Sequence, residues 1–115
     1  MRVKFDIRVK RGVIKLNKRA VSMMRARPGQ VLRVTTDEDG NVLVSSMDDP
    51  EGMYMGKLNR MSTSGLSCSN VELSRVLLKG EKTGAFRVGE GVEFDGSWWI
   101  SVITRKNYAN KELTI

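Results

Sequence analysis

The sequence predicts a mainly β domain in which two short helices form a minor α+β component, and three observations lead to this expectation. Residues 2–9, 30–35, 42–44 and 98–103 follow the period-two pattern of an extended chain. Such alternation is typical of strands that bury one face. Two Asp-Gly pairs, beginning at Asp39 and Asp95, favour tight hairpin turns. Helical spacing of apolar residues is confined to two short stretches, near 18–25 and 74–79.

The first half is organised around the stretch from Gly12 to Val34, which predicts a strand, a short helix, a turn and a second strand. A strand over residues 2–9 precedes this stretch. Asn17 is placed to cap a helix over Lys18–Arg25, because its side-chain oxygen can accept a hydrogen bond from the first helical turn. Pro28-Gly29 then ends the helix, since proline cannot continue it and glycine can adopt the turn.

An acidic hairpin follows the next predicted strand, which runs to about Thr36. Residues 37–41 form its turn and residues 42–44 its returning strand. The polar segment 46–52 contains a proline and is the best candidate for a linker. We therefore expect a first strand-helix-hairpin repeat over 1–46, a second degenerate repeat over 53–104, and a tail over 105–115.

The second half predicts the same kinds of element in a less regular form. Residues 71–73 alternate as a strand does, and Ser74 is placed to cap a helix over Ser74–Lys79. The stretch 85–94 is extended, and its two glycines predict a bulge. Trp98 and Trp99 are adjacent and therefore point to opposite faces of the last strand. We expect Trp98 in the core and Trp99 on the more exposed face.

The two halves resemble each other in residue order. Residues 14–18 and 71–75 both run apolar, charged, Leu, capping residue, basic, and the hairpins at 39–45 and 95–101 also match. This similarity predicts two degenerate copies of one unit that pack about a pseudo-twofold axis. Two unrelated hairpins would produce the same similarity, so both interpretations stand at this point.

Composition excludes several functional classes. The chain of 115 residues has no histidine and one cysteine, Cys68, which removes histidine-dependent catalysis, cysteine metal cages and an intrachain disulfide. No acid, base and nucleophile set stands out, so we expect no enzyme, no catalytic residue, no metal and no cofactor. No apolar run approaches the roughly 20 residues of a membrane span, and the N-terminus lacks the apolar block of a secretion signal. We expect no membrane association and a cytoplasmic location.

Positive charge is concentrated at the N-terminal end. Residues 1–33 carry eleven Lys and Arg against one acid, a net +10, whereas residues 34–115 carry a net −3. Such a block indicates a polyanionic partner such as nucleic acid. The predicted nucleic-acid-binding residues are Arg8, Lys10, Arg11, Lys15, Lys18, Arg19, Arg25 and Arg27. The alternatives are a solvated sheet face, or a contact with an acidic protein or with the acidic half of this chain.

Residues 12–34 also match a known pattern, G-x-x-x-I-P-K-x-x-R-R-x-L-G-I-K-P-G-D-x-V-x-V, without a gap. The matching positions are Gly12, Leu16, Lys18, Met24 for Leu, Ala26 for Ile, Arg27 for Lys, Pro28, Gly29, Leu32 and Val34. The departures are Asn17 for Pro, Val21 and Ser22 for the paired Arg, Arg25 for Gly, and Gln30 for Asp. By these positions the stretch resembles the swapped-hairpin domain of the AbrB/SpoVT type, found in bacterial transition-state regulators and antitoxins.

The resemblance implies a swapped-hairpin-like β-barrel and a DNA-binding function, as a transcriptional regulator or an antitoxin-like protein. Two degenerate copies in one chain would resemble the tandem MraZ-type arrangement and form a pseudo-dimer, and a single copy would form a homodimer. Because the paired arginines are absent, Arg25 and Arg27 are the residues expected to replace their charge. The alternative function is a structural or protein-interaction module without nucleic-acid binding.

Overall fold

A computed structural model describes residues 5–103, which form eight strands and two helices. The strands are β1 (Ile7–Lys10), β2 (Val13–Leu16), β3 (Val31–Thr36), β4 (Val42–Met47), β5 (Asn59–Arg60), β6 (Leu66–Ser69), β7 (Thr83–Phe94) and β8 (Ser97–Ile103). The helices are α1 (Lys18–Met24) and α2 (Val71–Leu78), of 7 and 8 residues. The predicted mainly β class is confirmed. The predicted tail 105–115 and residues 2–4 of the predicted first strand lie outside the described residues. The strand itself begins at Ile7, so Phe5 and Asp6 do not belong to it as predicted, and the exposed Phe5 and buried Asp6 depart from the alternation.

The strands form one curled antiparallel sheet in the order β3-β4-β8-β7-β1-β2-β6-β5. The β1–β2 hairpin lies between β7 and β6, and β4 of the β3–β4 hairpin pairs with β8. The curl also brings the two ends of this order together. Leu58 N donates to Gln30 O at 2.7 Å, and Gly29 N donates to Leu58 O at 2.8 Å. These hydrogen bonds join the residue before β5 to the residues before β3.

The core lies inside the curl and is built from both halves of the chain. In β1, the alternation predicted from sequence buries Ile7 and Val9 and exposes Arg8 and Lys10. The other fully buried large side chains include Ile14, Leu16, Val42, Val44, Leu58, Ile100 and Val102. The helices close this core with Ala20 and Met24 from α1 and Leu77 from α2. Burial of this contiguous apolar cluster is the main source of stability.

Each helix begins after an asparagine. The Asn17 side chain accepts from Ala20 N at 2.8 Å, as predicted, and the Asn70 side chain accepts from Leu73 N at 3.1 Å. The prediction that Ser74 caps the second helix is therefore wrong, as is the strand predicted over 71–73. Apolar residues two positions apart fit the first turn of a helix as well as a strand, and Asn70 supplies the acceptor that the free N–H groups of that turn need.

Both Asp-Gly hairpins are confirmed. Asp95 and Gly96, with φ values of 52° and 76°, form the tight turn between β7 and β8. In the first hairpin the Asn41 side chain donates to the Asp37 carboxylate at 3.0 Å, and the N–H groups of Asn41 and Asp39 donate to it at 2.8 and 3.0 Å. These hydrogen bonds, led by that of the Asn41 side chain, hold the pKa of Asp37 below its ordinary value of 3.8. The turn is thus fixed by its own acid.

Two further predictions in the second half have different outcomes. The predicted bulge in β7 is confirmed, because Val88 lies opposite Val102 whereas Gly91 lies opposite Ile100. The predicted burial of the tryptophans is wrong, since Trp99 is only 6% exposed and Trp98 is half-buried. Phe94 packs edge-on against Trp99 and Arg33 lies over its ring. These two neighbours cover a ring that lies outside the main core. The first two residues of the predicted linker 46–52 belong to β4, which extends through Met47.

Candidate nucleic-acid interface

The structure places the eight predicted basic residues in two regions, and all eight are exposed. Arg8, Lys10, Arg11 and Lys15 lie on the β1–β2 hairpin and its turn, and we call these four residues the cationic face. Lys18 and Arg19 lie in the first turn of α1, while Arg25 and Arg27 follow its last turn. The sequence block is thus divided between an outward sheet surface and the two ends of a helix.

The cationic face is a consequence of strand register. Arg8 on β1 lies directly opposite Lys15 on β2, so both side chains leave the sheet on the same side. Lys10 is two residues from Arg8 and joins them on that side. Beyond this pair, the residue opposite Arg8 on β7 is Ala85 and the residue opposite Lys15 on β6 is Ser67. A row across four neighbouring strands therefore holds two cations and no carboxylate.

Opposed like charges in a sheet lower stability. Side chains directly opposite on neighbouring strands have Cβ atoms about 5 Å apart, and like charges there are unfavourable. None of the residues that form β1, β2 or β6 is acidic. Within residues 5–103, no member of the cationic face forms an ion pair with a carboxylate. An anion bound from outside would relieve this repulsion, which is the electrostatic situation expected for a phosphate-binding surface.

Two further cations border the cationic face and were missed by sequence reasoning. Arg87 is exposed on β7 two residues from Ala85, so it leaves the sheet on the same side as Arg8. A groove of ≈ 830 Å³ beside this part of the sheet is lined by four cations and one acid, namely Arg8, Lys10, Arg87, Lys79 from the end of α2, and Glu81. Only the β1–β7 pairing and the packing of α2 bring Arg87 and Lys79 here, so charge clustering along the sequence could not identify them.

Arg19 has a structural partner. Its Nη1 donates to the Asp6 carboxylate at 2.6 Å and to Val88 O at 3.2 Å. Asp6 is 3% exposed and also accepts from the Asn17 side chain and from Val88 N. This carboxylate ties the starts of β1 and α1 to β7. Arg19 therefore serves the fold, although half of its side chain is exposed.

The remaining helix-end cations differ in their contacts. Lys18 is exposed in the first turn of α1. Arg27 lies 3.5 Å from the exposed Asp48 carboxylate, a pair too solvated to contribute much stability. Arg25 lies over an aromatic ring, with its Cζ 4.1 Å from the centroid of Trp98. Of these three cations, Arg25 is the one that contacts an aromatic ring.

Comparisons of the chain with protein-family models, with curated proteins and with solved structures return no match. Within the described part of the chain, no helix is long and apolar enough to cross a membrane. In the same residues, no group of three or more carboxylate or thiol side chains is arranged to hold a metal ion. Cys68 is buried, and its burial raises the pKa of the thiol to about 11, which keeps it protonated and unreactive at neutral pH.

A second exposed surface is apolar. Met53, Tyr54 and Met55 are 71%, 55% and 85% exposed in the loop between β4 and β5. The loop is nevertheless fixed, because the buried Asp49 carboxylate accepts from Met53 N at 2.9 Å and from Tyr54 N at 3.1 Å. The Asn70 side chain donates to Met55 O at 3.4 Å. Three consecutive exposed apolar residues on an ordered loop are unusual in a surface without a binding role.

Proposed function

We propose that the protein binds double-stranded DNA through the cationic face, as a transcriptional regulator or an antitoxin-like protein. The observation that supports this most is the Arg8–Lys15 pair, in which two exposed cations oppose each other without a neighbouring carboxylate. Duplex DNA carries closely spaced phosphates, and their neutralisation by Lys and Arg releases condensed counterions. Contacts of this kind position a protein on the duplex, whereas sequence is read by other groups.

The order of the strands supports the further proposal that the fold is a swapped-hairpin barrel. The β1–β2 hairpin has strands of the second half on both sides, β7 and β6. The β3–β4 hairpin pairs with β8 on one side, and on the other side the Val31–Lys57 bridge connects it to the residues before β5. Each hairpin of one half is thus flanked by the other half, which is the relation expected if two interleaved units form a barrel.

The proposal that the chain contains two degenerate copies has similar support. The order strand-strand-helix-strand-strand occurs twice, as β1-β2-α1-β3-β4 and β5-β6-α2-β7-β8. The N-caps Asn17 and Asn70 are 53 residues apart, so the two copies align at this spacing and not by pairing residues 14–18 with 71–75. Both helices end at a basic residue with positive φ, Arg25 and Lys79. We therefore propose a pseudo-dimer within one chain, aligned on its two asparagine caps.

A salt titration tests DNA binding. Affinity for a fluorescently labelled random duplex is measured by anisotropy from low to moderate salt. The logarithm of the association constant should fall with the logarithm of salt concentration, by about 0.9 for each phosphate contact. The variant R8A/K10A/R11A/K15A should flatten this slope by about 3 to 4 units. Its stability should hardly change, because exposed charges contribute little and the Arg8–Lys15 repulsion is removed.

A matched control carries the same loss of charge elsewhere. Lys57, Arg60, Arg75 and Lys82 are exposed cations outside the cationic face, and the variant K57A/R60A/R75A/K82A has the same net charge as the test variant. If location matters, the control retains most of the slope. An equal decrease of the salt slope in the two variants would show that binding depends on net charge alone and not on the location of the cations. An unmodified protein that shows no binding at low salt would end the DNA proposal.

A protein-interaction module is the second proposed function, and the loop at Met53–Met55 is the observation in its favour. Methionine side chains are flexible and polarisable, and they recur at surfaces that bind other proteins. A tyrosine between them adds a ring that is apolar on its faces and polar at its tip. This function does not require nucleic acid, so it would remain if the duplex titration showed no binding.

A further inference from the structure

We propose that Arg25 contacts a DNA phosphate, and that Trp98 positions its guanidinium for this contact before the duplex arrives. This inference rests on the proposed DNA binding and identifies a residue and a positioning device within it. Arg25 and Trp98 come from opposite ends of the chain, and nothing in their sequence neighbourhoods links them. Their contact is made by the packing of α1 against β8.

The backbone at Arg25 is the first step in the inference. Arg25 is the C-cap of α1 with φ 59° and ψ 35°, the left-handed conformation. Helices usually place glycine or asparagine in this conformation, because a larger side chain is strained there. Arg11 and Lys79 also have positive φ, so this strain is shared by three basic residues, and what distinguishes Arg25 is the ring on which it lies.

The second step is the surface on which Arg25 lies. Trp98 Nε1 donates to Met23 O at 2.8 Å, which fixes the indole against the last turn of α1. On β7, Gly91 has no side chain, and a Cβ atom at that position would overlap the Trp98 ring. The ring is therefore held from two sides. Arg25 Cζ lies 4.1 Å from its centroid, close enough for a cation–π interaction.

The third step concerns how the position of the Arg25 guanidinium over the Trp98 ring favours the binding of a phosphate. A guanidinium that lies flat on a ring keeps its N–H groups at its edge, where they can bind the oxygens of a phosphate in pairs. Its long side chain is ordered in advance, so less conformational entropy is lost on binding. Within residues 5–103, Arg25 forms no ion pair with a carboxylate. A lysine at this position would supply the charge without the planar stack or the paired geometry.

The Arg33–Trp99 pair shows the contrasting arrangement within the same chain. Arg33 Cζ lies 4.8 Å from the centroid of Trp99. Arg33 is partly buried on β3, and its Nε is enclosed without a hydrogen-bond partner in the described structure. That stack covers a buried ring. The Arg25–Trp98 stack differs because its guanidinium belongs to an exposed residue at the end of a helix.

Four variants of the full chain test the inference with the same labelled random duplex. R25A should weaken binding about tenfold at a fixed moderate salt concentration and flatten the salt slope by about 0.9. R25G should weaken binding equally but leave the melting temperature unchanged or higher, because glycine relieves the strain at φ 59°. R25K and W98F retain the charge, so they should keep the slope and weaken binding by about threefold to tenfold through lost positioning. K57A removes an exposed cation elsewhere and serves as the control.

The outcomes separate this inference from the function on which it rests. If the unmodified protein does not bind the duplex, the proposed function fails. If it binds and the cationic-face variant loses slope, while R25A and R25G bind as tightly as K57A, DNA binding stands and the role of Arg25 is refuted. A drop in melting temperature for R25G with unchanged affinity would assign Arg25 and Trp98 to the fold alone. An R25A variant with weaker binding but the full slope would overturn the phosphate contact.

Discussion

The Asp6 carboxylate makes a quantitative prediction possible, because it links three parts of the fold. It accepts from Arg19 Nη1 at 2.6 Å, from Val88 N at 3.0 Å and from Asn17 Nδ2 at 3.1 Å. The substitution D6A removes the acceptor for all three donors. The cost in free energy of unfolding differs among the three donors, because the Arg19 side chain is 49% exposed whereas the hydrogen bond from Val88 N is buried.

The expected loss of stability follows from these environments. A buried N–H that loses its acceptor costs about 1 to 3 kcal/mol. Arg19 can be rehydrated, so its share is discounted, and Asn17 Nδ2 retains Phe5 O at 3.1 Å. We expect D6A to lower the free energy of unfolding by about 2 to 4 kcal/mol. R19A, which leaves Asp6 with two donors, should cost about 1 to 2 kcal/mol.

Urea unfolding followed by tryptophan fluorescence measures both changes. The midpoint should fall in D6A without a change in the m-value. D39A is the matched control, because Asp39 is an exposed acid in a turn, and it should stay within about 0.5 kcal/mol of the unmodified protein. A D6A variant as stable as D39A would refute the structural role of this carboxylate. If R19A is as stable as the unmodified protein, Arg19 does not stabilise the fold and is again a candidate for nucleic-acid binding.

Three further predictions concern the cap, the thiol and the loop. N70A should lower the free energy of unfolding by about 1 kcal/mol in the same urea assay, and S74A by less, because Asn70 is the cap; the reverse order would contradict the observed start of α2. As pH rises from about 9 to 11, the unfolded thiol of Cys68 loses its proton more readily than the folded thiol, because burial raises the folded pKa to about 11. The free energy of unfolding should therefore fall by about 2 kcal/mol over this range. The fall should be smaller in C68A, and an identical pH profile for the two proteins would show that Cys68 is not its cause. If the loop binds other proteins, including a second copy, any self-association seen by sedimentation velocity should be lost in M53S/M55S without loss of stability; association that persists in this variant would exclude the loop as the self-interface.

The candidate site was only partly accessible to sequence reasoning. The block over 1–33 identified the cations of the β1–β2 hairpin, and alternation in β1 predicted their outward direction, because successive side chains in a strand point to opposite faces. The same block also contains Arg19, whose side chain donates to the buried Asp6 carboxylate, thirteen residues away in the sequence. Arg87 was missed because its neighbours on the sheet are distant in sequence. The distribution of charge along the sequence therefore predicts that a surface is positive, but only the fold determines which residues form that surface.

The sequence by itself determined the local elements of this protein. Period-two alternation predicted most strands, Asn17 predicted the start of the first helix, and the Asp-Gly pairs predicted both hairpins, whereas the helix ends at Arg25, before Pro28-Gly29. These features depend on neighbours within a few residues, where propensity and turn chemistry act directly. The tertiary structure decided which strands meet, because pairings such as β1–β7 join residues more than seventy positions apart. It also decided the burial of Trp99, the start of α2 and the stacking of Arg25 on Trp98, since each depends on a contact made only after distant strands have paired.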